Sequence, residues 1–366
     1  MFTTKARSTC YMEELMALPY SAVSKGKGFV QSCRAAQGTS RDDIMALQRK
    51  KLGKTHDSLF KKALPFVLIT LAAWSLHAAP RAAYATEGGG STYPMGVNTV
   101  LPAIMPDLGK TELLNYLADI PLTSLNDSHG RHSPEAFGGN LFAFAPRLLH
   151  TWNFALGDFH FSTGLSPVFQ RKYVSVGGQN SYTFNMSSFD LQALYVTWSK
   201  GDLHLLFGQD FWFPGSSYNH SDFSNVTATR VTFMEEGAVT WTPGNWEFSL
   251  ENTVQMSTRN RDTGYHDGTL FNMDYGISYR PFPKLRKLQF GVNGNWAYQT
   301  SNDTLNGQRY MDGYKLRNFT IGPQIVYDFS PGTAVVLKWQ HALDARNTIG
   351  GDRYWVEFAL PIHLFD

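Results

Sequence analysis

The stretch Asn245-Trp246-Glu247-Phe248-Ser249-Leu250-Glu251-Asn252-Thr253-Val254-Gln255-Met256 alternates between polar and apolar side chains. Trp246, Phe248, Leu250, Val254 and Met256 share one face, and only Asn252 breaks that row. Glu247, Ser249, Glu251, Thr253 and Gln255 share the other. A strand turns successive side chains to opposite faces, so this segment is two-faced, with carboxylates on its polar side. The pattern returns in Leu288–Tyr298 and in Tyr354–Leu364. Two-faced segments of about 10 residues, separated by turns, mark a transmembrane β-barrel with lipid outside and water inside.

Read outward from that stretch, the chain predicts strands near 111–119, 140–149, 156–170, 187–198, 202–212, 230–241, 245–257, 269–280, 286–299, 314–329, 332–344 and 353–365. Connections alternate in length. Thr151-Trp152-Asn153, Lys200-Gly201-Asp202, Pro243-Gly244-Asn245 and Ser330-Pro331-Gly332 carry short-turn chemistry, with Pro281-Phe282-Pro283 slightly longer. Between them lie polar loops at 120–139, 171–186, 213–229, 258–268, 300–313 and 345–352. Short turns at one rim and long loops at the other suit an outer-membrane barrel. The expected fold is all-β, an antiparallel barrel of about twelve strands over 111–366, an even number as such barrels require. Strand one alternates poorly, and Glu235-Glu236 side by side suggests a bulge. Trp198, Trp212, Trp241, Trp246, Tyr279, Tyr327, Trp339 and Tyr354 fit two interfacial belts.

Upstream, Lys50, Lys51, Lys54, Lys61 and Lys62 precede an apolar run from Ala63 to Trp74 and a small-x-small site at Ala83-Tyr84-Ala85. Residues 45–85 therefore read as a secretory signal peptide rather than an anchor. The run is broken by Pro65 and His77, and a spanning helix needs about 20 apolar residues. Residues 1–44 read as an over-extended or disordered leader, with Met45 the expected initiator.

Residues 1–85 hold 13 Lys+Arg against 5 Asp+Glu, and residues 86–366 hold 19 against 25. The whole-chain charge of +2 thus hides a mildly acidic mature protein, which argues against a nucleic-acid partner. Both cysteines, Cys10 and Cys33, lie in the leader, so the mature chain has no disulfide, thiolate metal site or Cys nucleophile. The low overall hydropathy excludes a bundle of spanning helices but not a barrel with a polar lumen.

Residues 86–110 hold Glu87, Gly88, Gly89 and Gly90, then Tyr93-Pro94, Pro102 and Pro106. The glycine run lacks the Lys-Ser/Thr of a phosphate loop. The prolines forbid a regular strand, and irregular backbone at membrane depth must sit in a lumen or in water. The segment is expected to act as a plug. Glu247, Glu251, Gln255, Asp274, Asn293, Asn295, Gln324, Lys338 and Gln340 fall on polar faces and are expected to line the lumen, as a passage or as an internal bonding network. His129 and His132 are too few for a metal site, and Asn219-His220-Ser221-Asp222 lacks the oriented base a serine nucleophile needs. No cofactor, metal or catalytic residue is expected.

The first third carries more specific motifs: Glu87-Gly88-Gly89-Gly90, Tyr93-Pro94, Asn115-Tyr116 and Leu125-Asn126-Asp127, followed by Gly130, Arg147 and Leu156-Gly157. On these residues the chain resembles the outer-membrane transporter family named for the meta-pathway of phenol degradation. The resemblance implies passage of small hydrophobic or aromatic compounds across the outer membrane. It also implies outer-membrane lipid and the barrel-assembly machinery as partners. Barrels commonly finish on an aromatic residue; here Phe365 is followed by Asp366. With no energy-coupling motif, transport is expected to be passive. The alternatives are a general porin or structural barrel, and a lipid-modifying barrel enzyme.

Overall fold

The computed structural model describes residues 90–134, 136–219 and 222–362. The expected leader and signal peptide, Glu87, Gly88 and Gly89, His220, Ser221 and the Phe365-Asp366 end lie outside the described residues.

Twelve antiparallel strands close into one barrel. They are β1 (Thr111–Leu122), β2 (Phe137–Leu156), β3 (Phe159–Val176), β4 (Gln179–Lys200), β5 (Leu203–Pro214) and β6 (Thr232–Trp241). β7 (Trp246–Ser257), β8 (Leu270–Tyr279), β9 (Leu288–Gln299), β10 (Arg317–Ser330), β11 (Thr333–Arg346) and β12 (Asp352–Ile362) complete the wall. Each strand pairs with its sequence neighbours, and β1 closes the ring on β12 from Thr111↔Ile362 to Asp119↔Tyr354. Closure leaves no sheet edge unpaired, the condition for strands in lipid.

The alternation read from the sequence is visible in β7. Glu247, Ser249, Glu251, Thr253, Gln255 and Ser257 are buried inside, while Trp246, Phe248, Leu250, Val254 and Met256 face outward. Val292, Phe358 and Leu360 are likewise exposed on the outer wall. Trp241, Trp246 and Tyr279 cluster there by ring contacts near one rim, and Trp339 and Tyr354 lie near the other. Trp212 departs from the expected belt. It shares parity with Asp210, points inward and is buried, because position near a strand end does not fix the face.

Three other expectations change. β2 continues through Thr151-Trp152-Asn153 with an irregularity before Ala155, and the turn falls at Gly157, whose φ is 64°. Only glycine takes that left-handed conformation freely. Residues 171–186 are not a loop but the ends of β3 and β4, paired up to Val176↔Gln179. Glu235 and Glu236 form no bulge: β6 keeps continuous register with β5 and β7, so Glu236 faces in and Glu235 faces out.

The turns at Gly157, Gly201, Gly244 and Gly332 define one rim, the turn end. The other rim, the loop end, carries the long connections and the short Gly177-Gly178 turn between β3 and β4. At the loop end Ser124 and Leu125 pair with Gly350 and Ile349, which ties the β1–β2 loop to the β11–β12 loop.

Candidate functional site

Residues 90–110 form no strand and run inside the barrel from loop end to turn end. Near the loop end Ser91 Oγ donates to Gln255 Oε1 (3.0 Å), and the Thr92 and Thr232 hydroxyls lie 3.1 Å apart. At mid-height the Tyr93 hydroxyl sits 2.8 Å from both Glu251 Oε1 and Asp274 Oδ2. Asp274 also accepts from Gly96 N (2.8 Å) and Asn98 N (3.1 Å), and Asn98 Nδ2 donates to Glu251 (2.8 Å). Lower down, Leu101 N donates to Glu247 (3.1 Å) and Ala103 N to Thr240 Oγ1 (3.2 Å). At the turn end Gly109 N donates to Thr151 O (2.9 Å), and β1 begins at Thr111.

The opposite partners come from β10 to β12. Thr99 Oγ1 donates to Gln324 Oε1 (3.0 Å). Lys338 Nζ donates to the carbonyls of Gly96 (3.1 Å) and Val97 (2.5 Å) and pairs with Glu357 (2.5 Å). Gln340 Nε2 reaches Gly96 O (2.8 Å) and Asn293 Oδ1 (2.7 Å). Arg353 Nη1 donates to Met95 O (2.9 Å) and to Asn295 Oδ1 (2.9 Å). Backbone groups outside regular structure need partners when buried, and here the polar faces of the strands supply them.

All nine polar residues singled out in the sequence thus turn inward, and each is almost fully buried. They border no open passage, because residues 93–103 cover them. Two glycines make the close fit. A Cβ on Gly96, at φ +92°, would meet Gln340 Oε1 at 2.2 Å. A Cβ on Gly276 in β8 would meet Thr99 O at 2.0 Å.

The segment hugs β6 to β12 and leaves space against β1 to β5. A cavity of about 210 Å³ remains there, reaching toward the loop end beside Gly350 and Gly351. Its wall is largely apolar: Ala118, Ile120, Leu141, Ala143, Val168 and Met234. This explains the poor alternation of β1. Leu114, Tyr116 and Ala118 face inward against apolar neighbours while Leu113 and Leu117 alternate with them, so both faces are greasy. Below the cavity, Ala103 packs with Leu149, Tyr195, Leu206 and Ala238 and seals the turn end. At the foot stand Arg147, Asp190, Asp210 and Glu236; the sequence reading named Arg147 only as a family motif residue and Glu236 only as part of a bulge, and expected none of the four in the lumen. Inward parity is the signal that could have found them.

The Asn115-Tyr116 and Leu125-Asn126-Asp127 motifs separate in space. Tyr116 borders the cavity, and Asn115 is on the other face of β1, paired with Phe358 and Pro146. Asp127 closes a turn in the β1–β2 loop, accepting from His129 N (2.8 Å), Arg131 N (2.9 Å) and Arg131 Nε (2.9 Å). The backbone hydrogen bond from Arg131, joined by its side chain and His129 N, outweighs desolvation and holds this carboxyl at about 2. His129 contacts Ser128, and His132 bridges Asn126. Asp222 accepts from Ser181 (2.5 Å) and Thr183 (2.8 Å) and tethers its loop to the β4 end.

Residues 123–358 match the family described as "Putative MetA-pathway of phenol degradation". The chain belongs to this family. No curated protein matches the sequence. Among solved structures, an outer membrane channel from Pseudomonas putida F1 is 13% identical with a TM-score of 0.61, over 73% of this chain and 100% of that one. At that identity the likeness shows the fold, and this phenol-degradation family member shares it. The β domain of the Bordetella autotransporter Brka aligns at 10% identity with a TM-score of 0.44, over 70% of this chain and 100% of that one. The transport unit of the Escherichia coli autotransporter AIDA-I aligns at 13% identity with a TM-score of 0.44, over 72% and 93%.

Proposed function

We propose that the protein is a passive outer-membrane channel for small hydrophobic or aromatic compounds, closed at rest by residues 90–110. The observation that carries the reading is the apolar-walled cavity inside a lipid-facing barrel of this family. A hydrophobic solute is poorly served by a purely polar pore, and this lumen offers an apolar wall on one side. The loop end faces outside and the turn end faces the periplasm, the usual disposition of such barrels. Residues 45–85 act as the signal that sends the chain through the inner membrane, and the barrel-assembly machinery inserts it. The protein works without catalysis or cofactor, and no nucleic acid takes part.

Two measurements test the reading. Cells with the gene should take up an aromatic solute faster than cells without it. Deleting Glu87 to Pro106 should leave an assembled, heat-modifiable barrel whose ion conductance in planar bilayers exceeds that of the intact protein. Equal uptake removes the transport role; unchanged conductance removes the plug.

A further inference from the structure

The wall of the cavity and its foot differ in chemistry. At the foot, Arg147 spends its donors on neutral partners: Gln192 Oε1 (3.0 Å), Tyr195 Oη (2.9 Å) and Tyr116 Oη (3.4 Å). Among the described residues no ion pair joins it to a carboxylate. Yet three carboxylates, Asp190, Asp210 and Glu236, border the same space. Asp190 Oδ2 accepts from Gln192 Nε2 (2.6 Å). Asp210 Oδ2 and Glu236 Oε2 share the single Tyr195 hydroxyl, at 3.1 and 3.3 Å. Asp190 and Asp210 are 2% and 1% exposed, and the Oδ1 atom of each is buried with no hydrogen-bond partner among the described residues. Unpaired buried acceptors are costly. Arg147 is the one cation beside these three carboxylates among the residues that line the foot, so they leave an excess of two formal negative charges and two carboxylate oxygens without a donor.

The geometry points to a subsite for a cationic, hydrogen-bond-donating head group, so that the cavity takes a small aromatic or alkyl amine. The apolar body lies against Ala118, Val168 and Met234, and the ammonium sits at Asp190, Asp210 and Glu236. An ammonium brings three donors and no acceptor, which suits the two orphan oxygens and offsets the excess charge. A carboxylate of the same shape sets like charge against the foot and is disfavoured. A neutral alcohol fits the wall but leaves the charge uncompensated. This subsite deepens the channel reading by naming the solute class its lumen prefers.

The test is titration calorimetry on the full protein in detergent at pH 7 with phenethylamine, phenylacetate and 2-phenylethanol. The amine is cationic at that pH. It should bind at least roughly tenfold more tightly than either of the others. The D190N/D210N double variant should lose that preference, its affinities for the amine and for 2-phenylethanol converging. Glu236→Gln serves as the second variant should the double one fail to show heat-modifiable migration. Equal affinity for the three ligands, no binding of the amine, or a preference that survives these substitutions overturns the subsite. Solute flux into proteoliposomes separates this outcome from the channel reading. Rapid 2-phenylethanol flux without amine preference keeps the channel and removes the subsite. Variant-sensitive amine binding without flux of any probe keeps the subsite and removes the channel.

Discussion

Tyr93 reaches across the lumen to Asp274, its hydroxyl 2.8 Å from Oδ2, and so fastens the internal segment to the middle of β8. The same hydroxyl lies 2.8 Å from Glu251 Oε1, so one hydrogen is contested by two carboxylates. Tyr93→Phe removes that hydrogen without removing the ring. Leaving buried acceptors short of a donor costs about 1–3 kcal/mol. The segment should loosen while the wall stays intact. Faster protease cleavage within residues 90–106, with unchanged heat-modifiable migration, is the expected result; cleavage at the wild-type rate would show that the hydroxyl does not hold the segment.

Neighbouring positions in β7 should behave oppositely. Leu250 faces outward among apolar side chains, and a charge on the lipid face near the midplane costs about 2–4 kcal/mol. Leu250→Arg should therefore lower the yield of inserted barrel. Glu251→Arg should insert, since the lumen tolerates charge, but should deprive Asn98 Nδ2 of its acceptor and leave the Tyr93 hydroxyl to Asp274 alone. Membrane fractionation compares the two; equal insertion of both would contradict the register.

Glu235 stands on the outer wall of β6 between Phe233 and Val239, paired across to Gln209 and Val254. A carboxyl among lipid-facing side chains is destabilising, though less than Arg or Lys in the same place. Glu235→Leu should raise the denaturant midpoint of the detergent-folded barrel. An unchanged or lower midpoint would mean that the carboxyl contributes something a bare lipid face does not provide.

Asp127 supplies a pH dependence at the loop end. Its folded value of about 2 lies below the ordinary aspartate value, so its turn is stabilised at neutral pH. That contribution is fully present above the unfolded value of roughly 4 and is lost as pH falls through the folded one. Protection of the Arg131 and Gly130 amides against exchange, taken relative to the intrinsic rate at each pH, should fall between about pH 4 and about pH 2, and Asp127→Asn should remove that step. A step of the same size in Asp127→Asn would assign it to another group.

The parts of the fold legible in the sequence are those where two solvents meet across one strand. β7 and β9 separate lipid from a polar lumen, so period-two alternation survives in them. β1 separates lipid from the apolar cavity wall, and its periodicity is erased by the same packing that creates the cavity. At the β3–β4 ends Tyr173, Tyr182 and Phe184 are exposed, and the opposite face is covered by the loop of Asp222 and Asn225 rather than by the lumen, so polar Lys172, Ser181 and Thr183 sit where an apolar row would have marked a strand. Within the site, the carboxylates of β7 and β8 stood out because their strands read cleanly. Asp190, Asp210 and Glu236 did not, because they come from three strands, β4, β5 and β6, and meet only when those strands pair. Gly276 was silent for another reason. Its role is the absence of a side chain opposite Thr99, and nothing in a single strand tells a glycine that weakens a sheet from one that admits a second backbone.

The direction in which residues 91–110 cross the lumen has a consequence for how the molecule comes into being. Ser91 is held near the loop end, Gly109 at the turn end, and the chain then rises again as β1. A finished ring would have to admit this stretch through the turn end and carry Ser91 the height of the barrel before its bonds could form. A simpler order avoids that threading. The stretch is laid against β6 to β12 while the wall is still open, and the β1–β12 seam, which joins the two strands farthest apart in sequence, zips last. The interior serves as a template for curvature, and closure becomes the step that imprisons it.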